Sequence, residues 1–161
     1  MALASSCKTR WPWRAAVSGL AHVAMAIMLV AGLSKATDLT EFAGSVSTWR
    51  VPRWAVMPLA VAVPFVEIAL AGFWFLGGRR RTALLGAIAL LCTFTAAYVV
   101  HLVFFGRPDC NCLGRILQLR ELNKTAWFVV TRNTVLIGFL AIGTVGGPSN
   151  AGRAIPEGGR R

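Results

Sequence analysis

Charge is scarce in this chain, and acidic charge scarcer still. Of its 161 residues only 14% are charged, six of them carboxylates against seventeen Lys and Arg. With 56% hydrophobic residues and a mean hydropathy of +0.62, the chain is too apolar for an ordinary soluble domain of this size, which puts it in lipid. Cysteine is sparse as well: four in all, of which only Cys110 and Cys112 lie close together, a count that does not by itself give a disulfide scaffold. The C-x-x-C knuckle usual for zinc is missing, which argues against a metal site built from Cys110, Cys112, Asp109 and His101. No internal repeat is visible. A net charge of +11 would suit nucleic acid if the basic residues lined one polar face. They sit instead at the ends of apolar runs, the pattern of membrane topology signals, and nucleic acid is not expected as a partner.

Four apolar runs follow one another. Residues 15–33 carry no formal charge and are long enough to cross a hydrocarbon core of about 30 Å. Ser34-Lys35-Ala36 resembles a small-x-small cleavage site, but the run exceeds the roughly 7–15 residues of a signal h-region, which favours a retained anchor. Residues 35–54 are polar and read as an external loop, with a short helix opened by Thr37 or Asp38. The second run, residues 55–77, holds Pro58, Pro64 and a mid-span carboxylate, Glu67; Pro64 predicts a kink or a loosened turn. The third, residues 82–105, contains Cys92, Tyr98 and His101. Residues 115–124 fit a short helix lying on the membrane surface. The fourth run, residues 126–145, is interrupted by Arg132 and Asn133. The expected organisation is a basic cytoplasmic segment 1–14, a four-span domain 15–145, and a Gly/Pro/Arg-rich disordered tail 146–161. Short connections then predict an all-α integral membrane protein, an antiparallel four-helix bundle.

Orientation follows from the basic residues. Lys8, Arg10, Arg14, Arg79, Arg80, Arg81, Arg153, Arg160 and Arg161 fall on one side, nine against the seven of the other, Lys35, Arg50, Arg53, Arg107, Arg115, Arg120 and Lys124. The first collar and the Arg79 to Arg81 turn are compact and close to the membrane, so both termini are expected in the cytoplasm of a bacterial cell, with the chain in its cytoplasmic (inner) membrane. Cys110 and Cys112 then face the oxidising side.

Those cysteines sit in the segment GRPDCNCLG, residues 106–114. A one-residue spacing allows a tight, strained disulfide, and strained exposed disulfides are exchange-active. Arg107 and Arg115 favour thiolate, while Asp109 opposes them. The competing reading is a turn set by Pro108 and Gly114 in which the cysteines are static. Cys92 reads as a small core hydrophobe. His101 reads as an interfacial cap or a proton acceptor.

A charge near mid-bilayer costs about 3 kcal/mol on insertion scales, so Glu67 and Arg132 must face the bundle interior or each other. Both helices enter from the same side, and a backbone offset of about 9 Å is within their combined reach, so a Glu67–Arg132 pair helped by Asn133 is expected beneath the cysteine segment. Such a group either fastens two helices or lines a site for a small redox partner such as a quinone.

Taken in order, a GLSKATD segment at the end of the first span, the mid-span Glu67, Cys-x-Cys-x-Gly after the third span and Arg132-Asn133 early in the fourth resemble the methylamine-utilisation MauE proteins, within the wider DoxX-like group. The resemblance implies a four-helix membrane protein that helps form or shuffle disulfides during maturation of methylamine dehydrogenase. It makes Cys110 and Cys112 the redox pair, and Lys35, Glu67, Arg132 and Asn133 the polar residues of the bundle. Vitamin K epoxide reductase-like proteins use a related helical arrangement to couple thiol oxidation to a quinone. Implied partners are membrane lipid and a periplasmic client protein or thioredoxin-like protein. The family usually reads Cys-x-Cys-Phe-Gly; here Leu113 replaces the Phe. The alternative is a non-enzymatic assembly partner or scaffold of DoxX-like type.

Overall fold

The computed structural model describes residues 11–106 and 126–146. Cys7, Cys110, Cys112, the expected surface helix 115–124 and the tail lie outside the described residues. Among those described there are five helices and no strand: α1 (Trp11–Thr37), α2 (Leu39–Ser47), α3 (Arg53–Phe75), α4 (Arg80–Phe105) and α5 (Ala126–Gly146). All but α2 are long and apolar enough to cross a membrane.

Local chemistry sets the breaks. α1 stops at Thr37 because Asp38 leaves helical geometry, with φ at −137°, and its side chain accepts a hydrogen bond from the Glu41 N–H, capping α2. Glu41 in the first turn of α2 suits the positive end of the helix dipole. α3 stays helical through Pro58 and Pro64. At its end Gly77 takes φ +74°, a left-handed turn that glycine adopts without penalty, and the chain reverses into α4.

α1 packs on α3, α3 on α4, α4 on α5, and α5 back on α1, a closed ring of four. Neighbours run antiparallel: His22 in the first half of α1 meets Trp74 near the end of α3 edge-on, while Gly32 near the end of α1 meets Glu67 further back. A Cβ on Gly32 would lie 3.0 Å from Glu67 Cβ and 3.2 Å from the Pro64 carbonyl oxygen, and one on Gly143 would lie 2.8 Å from Ala21 Cβ. Both glycines therefore bring a partner helix against α1 at backbone range. At the α3–α4 seam, Gly86 faces only the tip of Leu70.

Two further clusters complete the interior. α2 lays Phe42 and Ala43 on Ala60 and Val63 of α3, so the short helix covers the half of α3 that α1 leaves bare. Tyr98 and Val129 join α4 to α5, with Trp49 against them. The outer faces are apolar: Phe65, Phe73, Val103 and Phe104 are all more than half exposed. Hydrocarbon, not water, is the solvent that tolerates such a surface. Cys92 belongs to that surface rather than to the core; it is exposed on α4.

Candidate functional site

The site begins with Gly32. Because it has no side chain, α1 lies close against Pro64 and Glu67, and the residue three positions on, Lys35, arrives opposite the carboxylate. Lys35 Nζ donates to both Glu67 oxygens, at 2.6 and 2.7 Å. Both residues are buried, at 6% exposure each. The last turn of α1 is also where the helix dipole favours a cation. Ser34 is buried beside Lys35, and its hydroxyl has no partner among the described residues.

The expected partnership is thereby corrected: Glu67 is bonded to Lys35, not to Arg132. The hydropathy boundary put Lys35 in an external loop, whereas α1 continues to Thr37 and takes Lys35 into the interior. Arg132 instead donates through Nε (3.3 Å) and Nη2 (3.1 Å) to Oδ1 of its neighbour Asn133. Asn133 Nδ2 donates to Thr95 Oγ1 of α4 at 3.1 Å, and Thr95 donates to the Leu91 carbonyl. Arg132 lies near enough to Glu67 and Lys35 for its charge to act on both. Its Nη1 is buried without a partner among the described residues. Two cations therefore face one carboxylate inside the bundle, with the ion pair holding α1 to α3 and the amide holding α5 to α4. The structure thus brings Lys35, Glu67, Arg132 and Asn133 into one polar interior; Cys110 and Cys112 lie outside the described residues.

His101 is buried, and its Nδ1 lies 3.0 Å from the Gly106 carbonyl oxygen. A carbonyl only accepts, so Nδ1 carries the proton and, in the neutral ring, Nε2 is a bare acceptor. That Nε2 has no partner among the described residues. Trp49 and Phe105 lie tilted against the ring, with centroids at 6.1 and 5.4 Å. His101 is therefore held in an aromatic cluster at the α2 end of the bundle.

Sequence reasoning missed a cavity of about 200 Å³ at the same end, bounded by Lys35, Phe42, Trp49, Val63, Phe94 and Ala97. Lys35 borders it, with Nζ 5.6 Å from the centroid of Phe42. Only the aromatic residues spaced through α2 and its exit hinted at it, and that pattern serves equally for core packing.

Four membrane-crossing helices around a buried ionic interior define a multi-pass membrane protein. Comparison supplies the family. The model of the family of methylamine utilisation protein MauE matches residues 13–146. Methylamine utilization protein MauE of Paracoccus denitrificans is 35% identical over 136 residues, covering 82% of this chain and 70% of that one. The Paracoccus versutus protein of the same name is 35% identical over 114 residues, covering 69% and 59%. The chain belongs to the MauE family. No solved structure matches it.

Proposed function

We propose that this protein serves methylamine utilisation, the role named for its relatives, as a membrane thiol–disulfide oxidoreductase acting on a periplasmic client. In this reading it lies in the bacterial cytoplasmic membrane with both termini inside, and Cys110 and Cys112 form the working disulfide. A client thiolate attacks one of these sulfurs and forms a mixed disulfide. The client's second thiolate then displaces that sulfur, leaving the client oxidised and Cys110 and Cys112 reduced. Maturation of methylamine dehydrogenase is the proposed use. Restoring the disulfide removes two electrons and two protons, and a quinone is the acceptor class whose chemistry takes both.

The observation that carries the reading is the buried ionic interior. Charges at hydrocarbon depth each cost about 3 kcal/mol to insert, yet Lys35, Glu67 and Arg132 are kept there, with donor groups left over after their mutual bonds. Carbonyl oxygens of a quinone are acceptors only, so a surplus of donors suits them. Lys35, Arg132 and Asn133 are the residues that would hold such a group by hydrogen bonds, with Glu67 positioning Lys35.

The test is thiol trapping with a mass-shift reagent in native membranes, with and without a block of the quinone pool. The cysteine pair is expected to be oxidised at steady state and to become reduced when the pool is blocked. A pair that stays in one redox state under both conditions would overturn the proposal. A second reading, a non-enzymatic assembly partner, draws on the fact that the Lys35–Glu67 and Asn133–Thr95 bonds each fasten two helices. It predicts that replacing both cysteines by serine leaves function intact.

A further inference from the structure

The turn between α3 and α4 takes no part in the redox reading, and the geometry points to it as a binding site for an anionic phospholipid, its phosphodiester held by Arg79, Arg80 and Arg81. All three arginines are exposed, and none forms an ion pair within the described residues. The described carboxylates lie elsewhere: Asp38 and Glu41 open α2 at the other end of α3, and Glu67 is bonded to Lys35. Because α3 ends where α4 begins, the two helix ends offset each other's partial charge. Three uncompensated guanidinium charges remain.

The side-chain polar groups gathered at this turn are donors. Arg80 lies over Trp74, with Cζ 5.6 Å from a ring centroid, and a guanidinium over a ring face spends none of its five N–H groups. Trp74 is itself buried, and its indole N–H has no acceptor among the described residues, so the ring gives Arg80 a face to rest on and nothing to bond. The guanidinium is thus placed without being used. Phosphodiester oxygens are acceptors of opposite charge, and they pair with a guanidinium through two bonds at once.

An apolar track leads away from the charge. Arg81, Leu85, Ala89 and Cys92 follow one another at helical spacing along one face of α4. Leu85 is 53% exposed, Ala89 and Cys92 are exposed as well, and Leu76 at the end of α3 is 88% exposed beside the arginines. The eleven residues from Arg81 to Cys92 span about 16 Å at 1.5 Å each, close to half of a hydrocarbon core of about 30 Å. That is the depth of one leaflet. A soluble phosphate would engage the arginines alone, whereas a lipid engages both the arginines and the track.

The test uses the full chain in phosphatidylcholine nanodiscs whose two leaflets are alike, so the orientation of the chain does not enter. A minor share of phosphatidylglycerol carries a diazirine in mid-chain; after irradiation the label is mapped by mass spectrometry. Label is expected in the peptides from Phe73 to Cys92, about fivefold or more above that from phosphatidylcholine bearing the same diazirine, the factor that goes with one arginine near an anionic headgroup. Arg80→Gln/Arg81→Gln is expected to lower it about tenfold or more. Arg50→Gln/Arg53→Gln removes the same charge from the other end of the bundle and is expected to leave it unchanged. Excess glycerol phosphate is expected not to compete; competition by it would overturn the assignment to a lipid. Equal labelling by the two lipids, or label spread evenly over Phe65, Leu85 and Phe104, would overturn the site.

Discussion

Removing the Glu67 charge is expected to harm the protein more than removing the Lys35 charge. Glu67→Gln strips the only carboxylate from a group that includes two cations, Lys35 and Arg132. Breaking a buried pair from one side costs roughly 3–5 kcal/mol, because the survivor stays in low dielectric without a counter-charge. Lys35→Met leaves Glu67 with Arg132, whose charge already acts on it. Its cost is therefore nearer the roughly 1.5–3 kcal/mol of a lost charge-assisted hydrogen bond. At roughly 2–4 °C per kcal/mol for a chain of this length, midpoints fall by roughly 6–20 °C and roughly 3–12 °C respectively. The assay is the fraction of protein that stays monodisperse in mild detergent after a heating series. Adding Arg132→Met and Lys35→Met to Glu67→Gln removes every charge of the group and is expected to recover most of the loss, since apolar replacement of a buried ionic set is often neutral. Equal losses for the two single variants would refute the argument, because they would mean that Arg132 has no hold on Glu67.

Other outcomes follow from individual contacts. Gly32→Ala is expected to destabilise by about 1–3 kcal/mol, because its new Cβ meets the Pro64 carbonyl oxygen and Glu67 Cβ, whereas Gly138→Ala, with nothing within 4 Å, is expected to gain up to about 1 kcal/mol; the same heating series separates them. Asn133→Leu takes the acceptor from Arg132 and the donor from Thr95, and is expected to cost more than Thr95→Val, which loses about 1 kcal/mol; a difference in midpoint checks this. Asp38→Ala removes the cap of α2 and is expected to cost about 0.5–2 kcal/mol. Faster hydrogen exchange over residues 39–47 than over α3 would report it.

Hydropathy alone made the four spans legible, and the capping of α2 could be read from Asp38. The buried Glu67 was also legible, since a lone carboxylate in an apolar run has nowhere to go but inward. Its partner was not. The depth argument assumed that every helix begins and ends at one plane, but α1 ends part of the way along α3 and hands the remaining length to α2. That offset carries Lys35 to the level of Glu67, and it depends on Gly32, whose role is invisible until the facing helix is known. Cys92 was misread for a related reason: apolar residues point outward as readily as inward when the surroundings are lipid, so an apolar run does not reveal its buried face.

The two glycine contacts on α1 have a mechanical consequence. Sliding α1 along α3 or α5 would drive main-chain or Cβ atoms into one another at Gly32 and Gly143, so these three helices behave as a rigid spine. α4 meets α3 at Gly86 through the flexible end of Leu70, and small displacements there need only side-chain rotation. Relative motion within the bundle would thus be taken up first at the α3–α4 seam, on the helix that precedes the cysteine-bearing stretch of sequence.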